Sequence, residues 1–277
     1  MTRSTHFPEH IESFRSLHKS GCFVLPNPWD RGTALFLQSL GFQALATTSA
    51  GLGFSLGLPD EIEGIPLEST LQHIREIVQA TPLPVNADFQ NGFADAPEEL
   101  VNTVQQCVAT GVAGLSIEDA TGVTEQPLYE RSLAIERMHA AKEAIGETGV
   151  FLTGRCEARL IDVDAPLDMI LDRLVAYAEA GADCLYAPGI RKEEEMQIIV
   201  QTLAPKPVNI LMSSADTELT VPRLAAMGVR RISVGSAMAR TAWGAFMKSA
   251  QGIIEDGSFR GFKEAASFAS LNKIFTK

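Results

Sequence analysis

The chain has 277 residues, is 45% hydrophobic and carries a formal charge of −11. That length buries a substantial core in one large α/β domain or two small ones, and the acidic balance argues against nucleic acid and anionic membrane surfaces as partners. The apolar runs are far shorter than a bilayer span, the first residues lack the apolar run of a signal peptide, and Cys22, Cys107, Cys156 and Cys184 are too widely spaced for a zinc site or disulfide framework, so a reduced, cytoplasmic setting is expected.

In chain order, Pro8 to Ser20 reads as a helix closed by Gly21, followed by a short apolar strand, Cys22 to Leu25. Asp30 is placed to cap a helix from Arg31 to Leu40, and Phe42 to Ala46 is a second strand. Gly51 to Gly57 has glycines at the wrong spacing for a dinucleotide fingerprint and reads as a loop. A helix over Glu68 to Ala80 leads through Pro82 and Pro84 into a strand ending in Asn86 and Asp88. Asn86, Asp88 and Gln90 alternate with Val85, Ala87 and Phe89, which puts the three polar side chains on one face. Further helices are expected over Pro97 to Thr110, Glu130 to Ile145, Pro166 to Ala180 and Arg191 to Leu203, with Ala237 to Ile254 and Gly261 to Phe268 at the end.

One unit repeats: a helix ends in glycine and an apolar strand follows at once. It occurs at Gly41, Gly111, Gly181 and Gly228. Interleaved strands of a second kind begin at Pro84, Val150 and Pro207, giving eight strands with helical patterns between them. Eight β-then-α units of about 30 residues each make a (β/α)8 TIM-type barrel, with an open doubly wound sheet as runner-up. Residues 1–277 read as one domain, in which 237–277 supply helices for contacts with a neighbouring subunit.

In a barrel the reactive edge is built from the loops after each strand. The residues there are Asn27, Thr48-Ser49-Ala50-Gly51, Asn86 and Asp88, Glu118-Asp119, Arg155 and Glu157, Tyr186, Asn209 and Ser213, and Gly235-Ser236. Asp88, Glu118 and Glu157, with Asn86, form a candidate site for magnesium or manganese, which take hard oxygen ligands. Arg155 offers a planar fork to a substrate carboxylate. Thr48 to Gly51 offer backbone N–H groups to an anion. Such a set suits stabilisation of an enolate beside a carboxylate. The five histidines fall mostly on helices, no Ser-His-Asp or HExxH pattern is present, and the strands carry no lysine for a Schiff base. Cys156 points away from Arg155 and is expected to be a packed thiol.

From Asn27 to the helix after Ser236, the sequence resembles the isocitrate lyase / phosphoenolpyruvate mutase superfamily, and its phosphonomutase-like branch in particular. The matching segments include Thr47 to Ala50, Gly57 to Asp60, Asn86 to Asp88, Gly111 to Asp119, Gly154 to Ala158, Ala178 to Asp183 and Pro207 to Asn209. The resemblance implies a barrel whose last helix is swapped between subunits of a homodimer or homotetramer. It also implies magnesium and a small 2-oxo acid. By position, Asp88, Glu118 and Asn86 would serve the metal, and Arg155, Thr48, Ser49, Ala50 and Asn209 the substrate. Asp60, in a gating loop, would act with Arg155 and Glu118 in catalysis. Two departures stand out. The family's Asp-x-Asp is Asn86-Ala87-Asp88 here, with one negative charge fewer. The Lys-Lys-Cys-Gly-His loop of the family's lyases is replaced by Ala120 to Pro127, which has neither cysteine nor lysine. The expected activity is C–C cleavage or decarboxylation of a small 2-oxo or 2-hydroxy carboxylate. P–C chemistry on phosphonopyruvate, or binding of a 2-oxo acid with little turnover, are the alternatives.

Overall fold

The computed structural model describes residues 7–62, 64–215 and 218–276. Eight strands, β1 to β8, span Phe23–Leu25, Leu45–Ala46, Val85–Asp88, Gly114–Glu118, Phe151–Arg155, Cys184–Tyr186, Val208–Leu211 and Arg231–Ser233. Twelve α-helices among the described residues, α1 to α12, span Phe7–Leu17, Arg31–Ser39, Ser49–Ser55, Leu67–Ala80, Pro97–Val108, Arg131–Ile145, Ala158–Ile161, Leu167–Glu179, Glu193–Leu203, Val221–Ala226, Ala237–Asp256 and Phe268–Phe275.

The strands run parallel in the order β1-β8-β7-β6-β5-β4-β3-β2. At the remaining seam, the Ala46 N–H donates to the Pro26 carbonyl at 3.0 Å and joins β2 to the end of β1. Consecutive strands are neighbours all the way round, so the sheet is a TIM-type barrel and not an open doubly wound sheet. Gly41, Gly111, Gly181 and Gly228 all adopt positive φ, between 88° and 107°. Each lets the chain leave a helix in a left-handed turn and enter the next strand without a Cβ clash. Asp30 caps α2 through a reciprocal box with Thr33.

Three sequence expectations are corrected. Residues 49–55 form helix α3 and not a loop, because the Thr48 hydroxyl caps it by accepting the Gly51 N–H at 3.1 Å. The helix expected over Gly261 to Phe268 is absent. A 3-10 turn covers Arg260–Glu264, and α12 begins at Phe268 with the Ser267 hydroxyl as its cap. Strand β2 is only Leu45–Ala46, shorter than the apolar run that suggested it.

Alternation along each strand splits the core in two. Leu115 and Ile117 of β4 face the outer helices and are fully buried. Gly114, Ser116 and Glu118 face inward, as do Thr153 and Arg155 on the paired strand β5. Helix α1 seals the N-terminal end of the barrel. Its Phe14 packs edge-on against Phe151 and Phe23, with ring centroids 5.6 and 6.3 Å apart. A Cβ at Gly114 would meet Phe14 at 2.7 Å, so this inward position has room only for glycine. His18 stacks on Phe151 at 4.1 Å and donates from Nδ1 to the Phe14 carbonyl. Burial, aided by the charge of Arg231, pushes its pKa down to about 3, so the floor of the barrel carries a neutral imidazole.

Above this apolar plug the interior is polar, which is unusual for a barrel packed only for stability. At the other end of the chain, α11 leaves the barrel. Ala239 is its one buried residue, while Trp243, Phe246 and Ile254 are 40%, 62% and 84% exposed. Helix α12 folds back onto α2, with Phe275 beside Gly32. No helix among the described residues is long and apolar enough to cross a membrane.

Candidate active site

The C-terminal ends of the strands open into a small cavity. Its volume is about 50 Å³, enough for a few waters or one compact acid. Asp88, Arg155 and Tyr186 line it at the mouth, and Asn86, Ser116, Asn209, Arg231 and Ser233 line it deeper.

Arg155 organises the mouth. Its Nη1 lies 3.1 Å from Asp88 Oδ1 and 3.2 Å from Glu118 Oε2, and its Nε donates to Glu157. Its guanidinium carbon stands 5.2 Å from the centre of the Tyr186 ring. Asp88 is fixed from its other side, where Oδ2 accepts the Ser49 N–H at 2.9 Å and the Ser49 hydroxyl at 3.0 Å. The Asp88 backbone N–H in turn donates to Thr47 Oγ1 at 2.9 Å. Strands β2, β3, β4 and β5 thus converge on one charge cluster.

That cluster is unbalanced. Three carboxylates surround one guanidinium, and all four side chains are at most 18% exposed. Burial pushes the Glu118 carboxyl well above the usual range; Arg155 opposes this, and Glu157 and Asp88 add to it. Glu157 is raised for the same leading reason, with Arg155 again opposing. Asp119 does not join them. Its carboxylate is fully buried and accepts from the Glu157 N–H, Arg173 and the Tyr177 hydroxyl, which makes it a brace behind the site.

The remaining predicted residues fall as follows. Thr48 caps α3 and Ala50 is buried within it, so the Thr48-Ser49-Ala50 turn is a helix start whose Ser49 N–H is already held by Asp88. Asp60 lies exposed at the rim. Loss of solvent in the mouth raises its pKa, the Asp88 charge adds to the rise, and Arg155 opposes it. Gln90 departs from the inward face expected of it: the strand ends at Asp88, Gln90 has positive φ, and its side chain reaches the Glu61 carbonyl at 3.2 Å. Asn209 is buried at 1% exposure, donating to Ser233 Oγ and accepting from Arg231 Nε, both at 2.9 Å. Asn86 is buried too, and its Oδ1 has no hydrogen-bond partner.

Asp88, Glu118 and Glu157 were expected to converge as ligands of a metal. They converge instead on Arg155, and no three His, Cys, Asp or Glu side chains among the described residues stand at metal-holding spacing. A closed protein cage is therefore not formed. The donors still fit a water-rich divalent ion: they are hard oxygens, the cluster has two more negative than positive groups, and Asn86 Oδ1 is a buried acceptor without a donor. Magnesium keeps several waters, so Asp88 and Glu118 with Asn86 would be enough to hold it.

The interior residues Ser116, Thr153, Arg231 and Ser233 went unremarked in the sequence. The available signal was a polar side chain two residues before a strand-end polar group, as in Ser116 before Glu118 and Thr153 before Arg155.

The phosphoenolpyruvate phosphomutase family model matches residues 14–254. The chain belongs to this family. Oxaloacetate decarboxylase of Rhodopseudomonas palustris is 33% identical over 225 residues, covering 79% of this chain and 75% of that one. The 2-methylisocitrate lyase of Salmonella typhimurium is 31% identical over 196 residues, covering 68% and 64%. A crystal structure from Burkholderia cenocepacia, with a provisional lyase/mutase assignment, superposes with a TM-score of 0.94 at 43% identity and covers 99% and 98%. The chain is thus an enzyme of the lyase and mutase superfamily that its strand-end motifs resemble.

Proposed function

We propose that this enzyme is a magnesium-dependent C–C lyase that decarboxylates or cleaves a compact 2-oxo dicarboxylate such as oxaloacetate. The observation that carries the reading is Arg155 held rigid by Asp88, Glu118 and Glu157 at the edge of a cavity sized for a small acid. Relatives in the family support it, since they include an oxaloacetate decarboxylase and a 2-methylisocitrate lyase. The loop after β4 narrows the choice. Residues 120–127 contain no lysine and no cysteine, so the side chains that the family's lyases carry in this loop, its cysteine general acid among them, are missing here. Decarboxylation needs no such donor, because carbon dioxide leaves as a neutral molecule and water can protonate the enolate afterwards.

Arg155 would bind the substrate carboxylate through its fork, and its three carboxylate partners keep it from turning away. Ser49 and Thr47 hold Asp88 in register for the same end. Asp88, Glu118 and Asn86 would hold the magnesium ion, which supplies positive charge beside the substrate carbonyl. Asp60 and the loops after β2 and β4 would exclude water. They already touch, since a Cβ at Gly122 would lie 3.1 Å from Ile62. The four free thiols suit a reducing, cytoplasmic setting.

The test is product analysis with oxaloacetate, 2-methylisocitrate and phosphonopyruvate, each with magnesium. Pyruvate and carbon dioxide from oxaloacetate are expected. Phosphoenolpyruvate or phosphate from phosphonopyruvate alone would establish P–C chemistry instead, and binding heat without turnover of any of the three would leave a 2-oxo acid binder. The exposed apolar face of α11 is proposed to pack on a second copy, as a homodimer or homotetramer. Sedimentation equilibrium should return a multiple of 29.9 kDa, and Phe246→Glu should shift it toward the monomer; a wild-type monomer at micromolar concentration refutes the assembly.

A further inference from the structure

Five arginines among the described residues are buried inside this fold or largely so, and four have evident counterparts, Arg159 in Glu195. Arg155 has its carboxylates, Arg173 has Asp119, and Arg137 has the carbonyls of Asn91, Ala94 and Asp95 under the Tyr129 ring. Arg231 has none of these. It points into the barrel from β8 and is 2% exposed. Its Nε donates to Asn209 Oδ1 at 2.9 Å and its Nη2 to Thr153 Oγ1 at 3.0 Å, both neutral acceptors. Its Nη1 is buried without a partner. His18 on the barrel floor, close enough to feel the Arg231 charge, is held neutral and offers no negative charge.

A guanidinium does not deprotonate to escape burial, so its charge persists in the interior. An unpaired buried charge is costly unless an opposite charge joins it. The chain provides no carboxylate to Arg231 among the described residues, yet Arg231 lines the same cavity as Arg155. Asn209, which spans Arg231 and Ser233, holds the guanidinium at that wall. The cavity is therefore asymmetric, with three carboxyl groups gathered on one guanidinium at the β3–β5 wall and a positive charge without a carboxylate at the β7–β8 wall.

We propose that Arg231 is a specificity-determining residue, drawing a second anionic group of the substrate toward the Arg231, Asn209 and Ser233 wall. This rests on the 2-oxo acid lyase reading and names its substrate class: dicarboxylates over monocarboxylates of the same size. Arg231 acts in binding and takes no part in bond cleavage.

The test is calorimetric titration with malonate and pyruvate, a dianion and a monoanion of similar size, at pH 8 with magnesium. Wild type should bind malonate at least about tenfold more tightly, the least that one charge-assisted contact contributes. Arg231→Met should raise the malonate Kd about tenfold or more and move the pyruvate Kd less than about threefold. Arg231→Lys keeps the charge and should keep most of the preference, so it decides the matter if the methionine variant does not fold. Three outcomes overturn the proposal: no malonate preference in wild type, an undiminished preference in Arg231→Met, or equal weakening of both ligands in Arg231→Lys, which marks a purely structural arginine. Failure of wild type to bind either ligand overturns the 2-oxo acid reading as well; pyruvate binding with no Arg231 effect overturns this inference alone.

Discussion

Arg155→Met should be the most damaging single change in the molecule, costing both stability and activity. The arginine touches Asp88, Glu118 and Glu157, and its side chain is 16% exposed. Removing it leaves three carboxylates with no counter-charge in a cavity that already disfavours their ionised forms. Breaking a buried pair by deleting one partner costs roughly 3–5 kcal/mol. Urea unfolding at pH 7 should show a loss in that range, and kcat/KM should fall by about a thousandfold or more, as for loss of a positioned charge donor. Arg155→Lys separates the two effects. It restores the charge, so stability should recover to within about 1–2 kcal/mol of wild type, as for an ordinary substitution. It cannot restore the fork that meets Asp88, Glu118 and Glu157 together, so activity should stay depressed by about a hundredfold. A lysine variant with wild-type kcat/KM would remove Arg155 from substrate recognition.

Asp88→Asn should have the second largest effect, and it falls on ligand binding more than on folding. An asparagine can still accept from the Ser49 N–H and hydroxyl through its oxygen. Its amide then faces the Arg155 guanidinium where a carboxylate stood at 3.1 Å, so the loss of stability should be about 1–3 kcal/mol. The mouth also loses one of the charges that would hold a divalent ion, beside a position, Asn86, that is already neutral. Calorimetric titration of magnesium into enzyme with oxalate should show binding in wild type and none in Asp88→Asn. Equal magnesium affinity in the two proteins would contradict the assignment of Asp88 to the metal. Retained oxalate binding without magnesium in wild type would shift the whole electrostatic role to Arg155 and Arg231.

Much of this molecule is legible in its sequence. The glycine-ended helices announced the β-then-α repeat because a left-handed turn between helix and strand is a local requirement, met within a few residues. The inward polar face of Asn86 and Asp88 followed from the two-residue period of a strand, which is equally local. Helix α3 was missed because its cap is a hydroxyl before a glycine-rich segment of poor helix propensity, and packing of Ala50, Leu52 and Gly53 into the interior overrides that propensity.

What the chain could announce by itself was therefore the barrel and the identities of Asp88, Glu118 and Arg155 at its strand ends, since period and capping depend only on near neighbours. Tertiary structure alone decided what those residues do to one another. Closure of the barrel brings Asp88 and Arg155 together across 67 positions of sequence, turns Asp119 outward to Arg173, and leaves Arg231 inside without a partner. Contacts of that kind are set by the curvature of the whole sheet, and no local pattern encodes which charge will meet which.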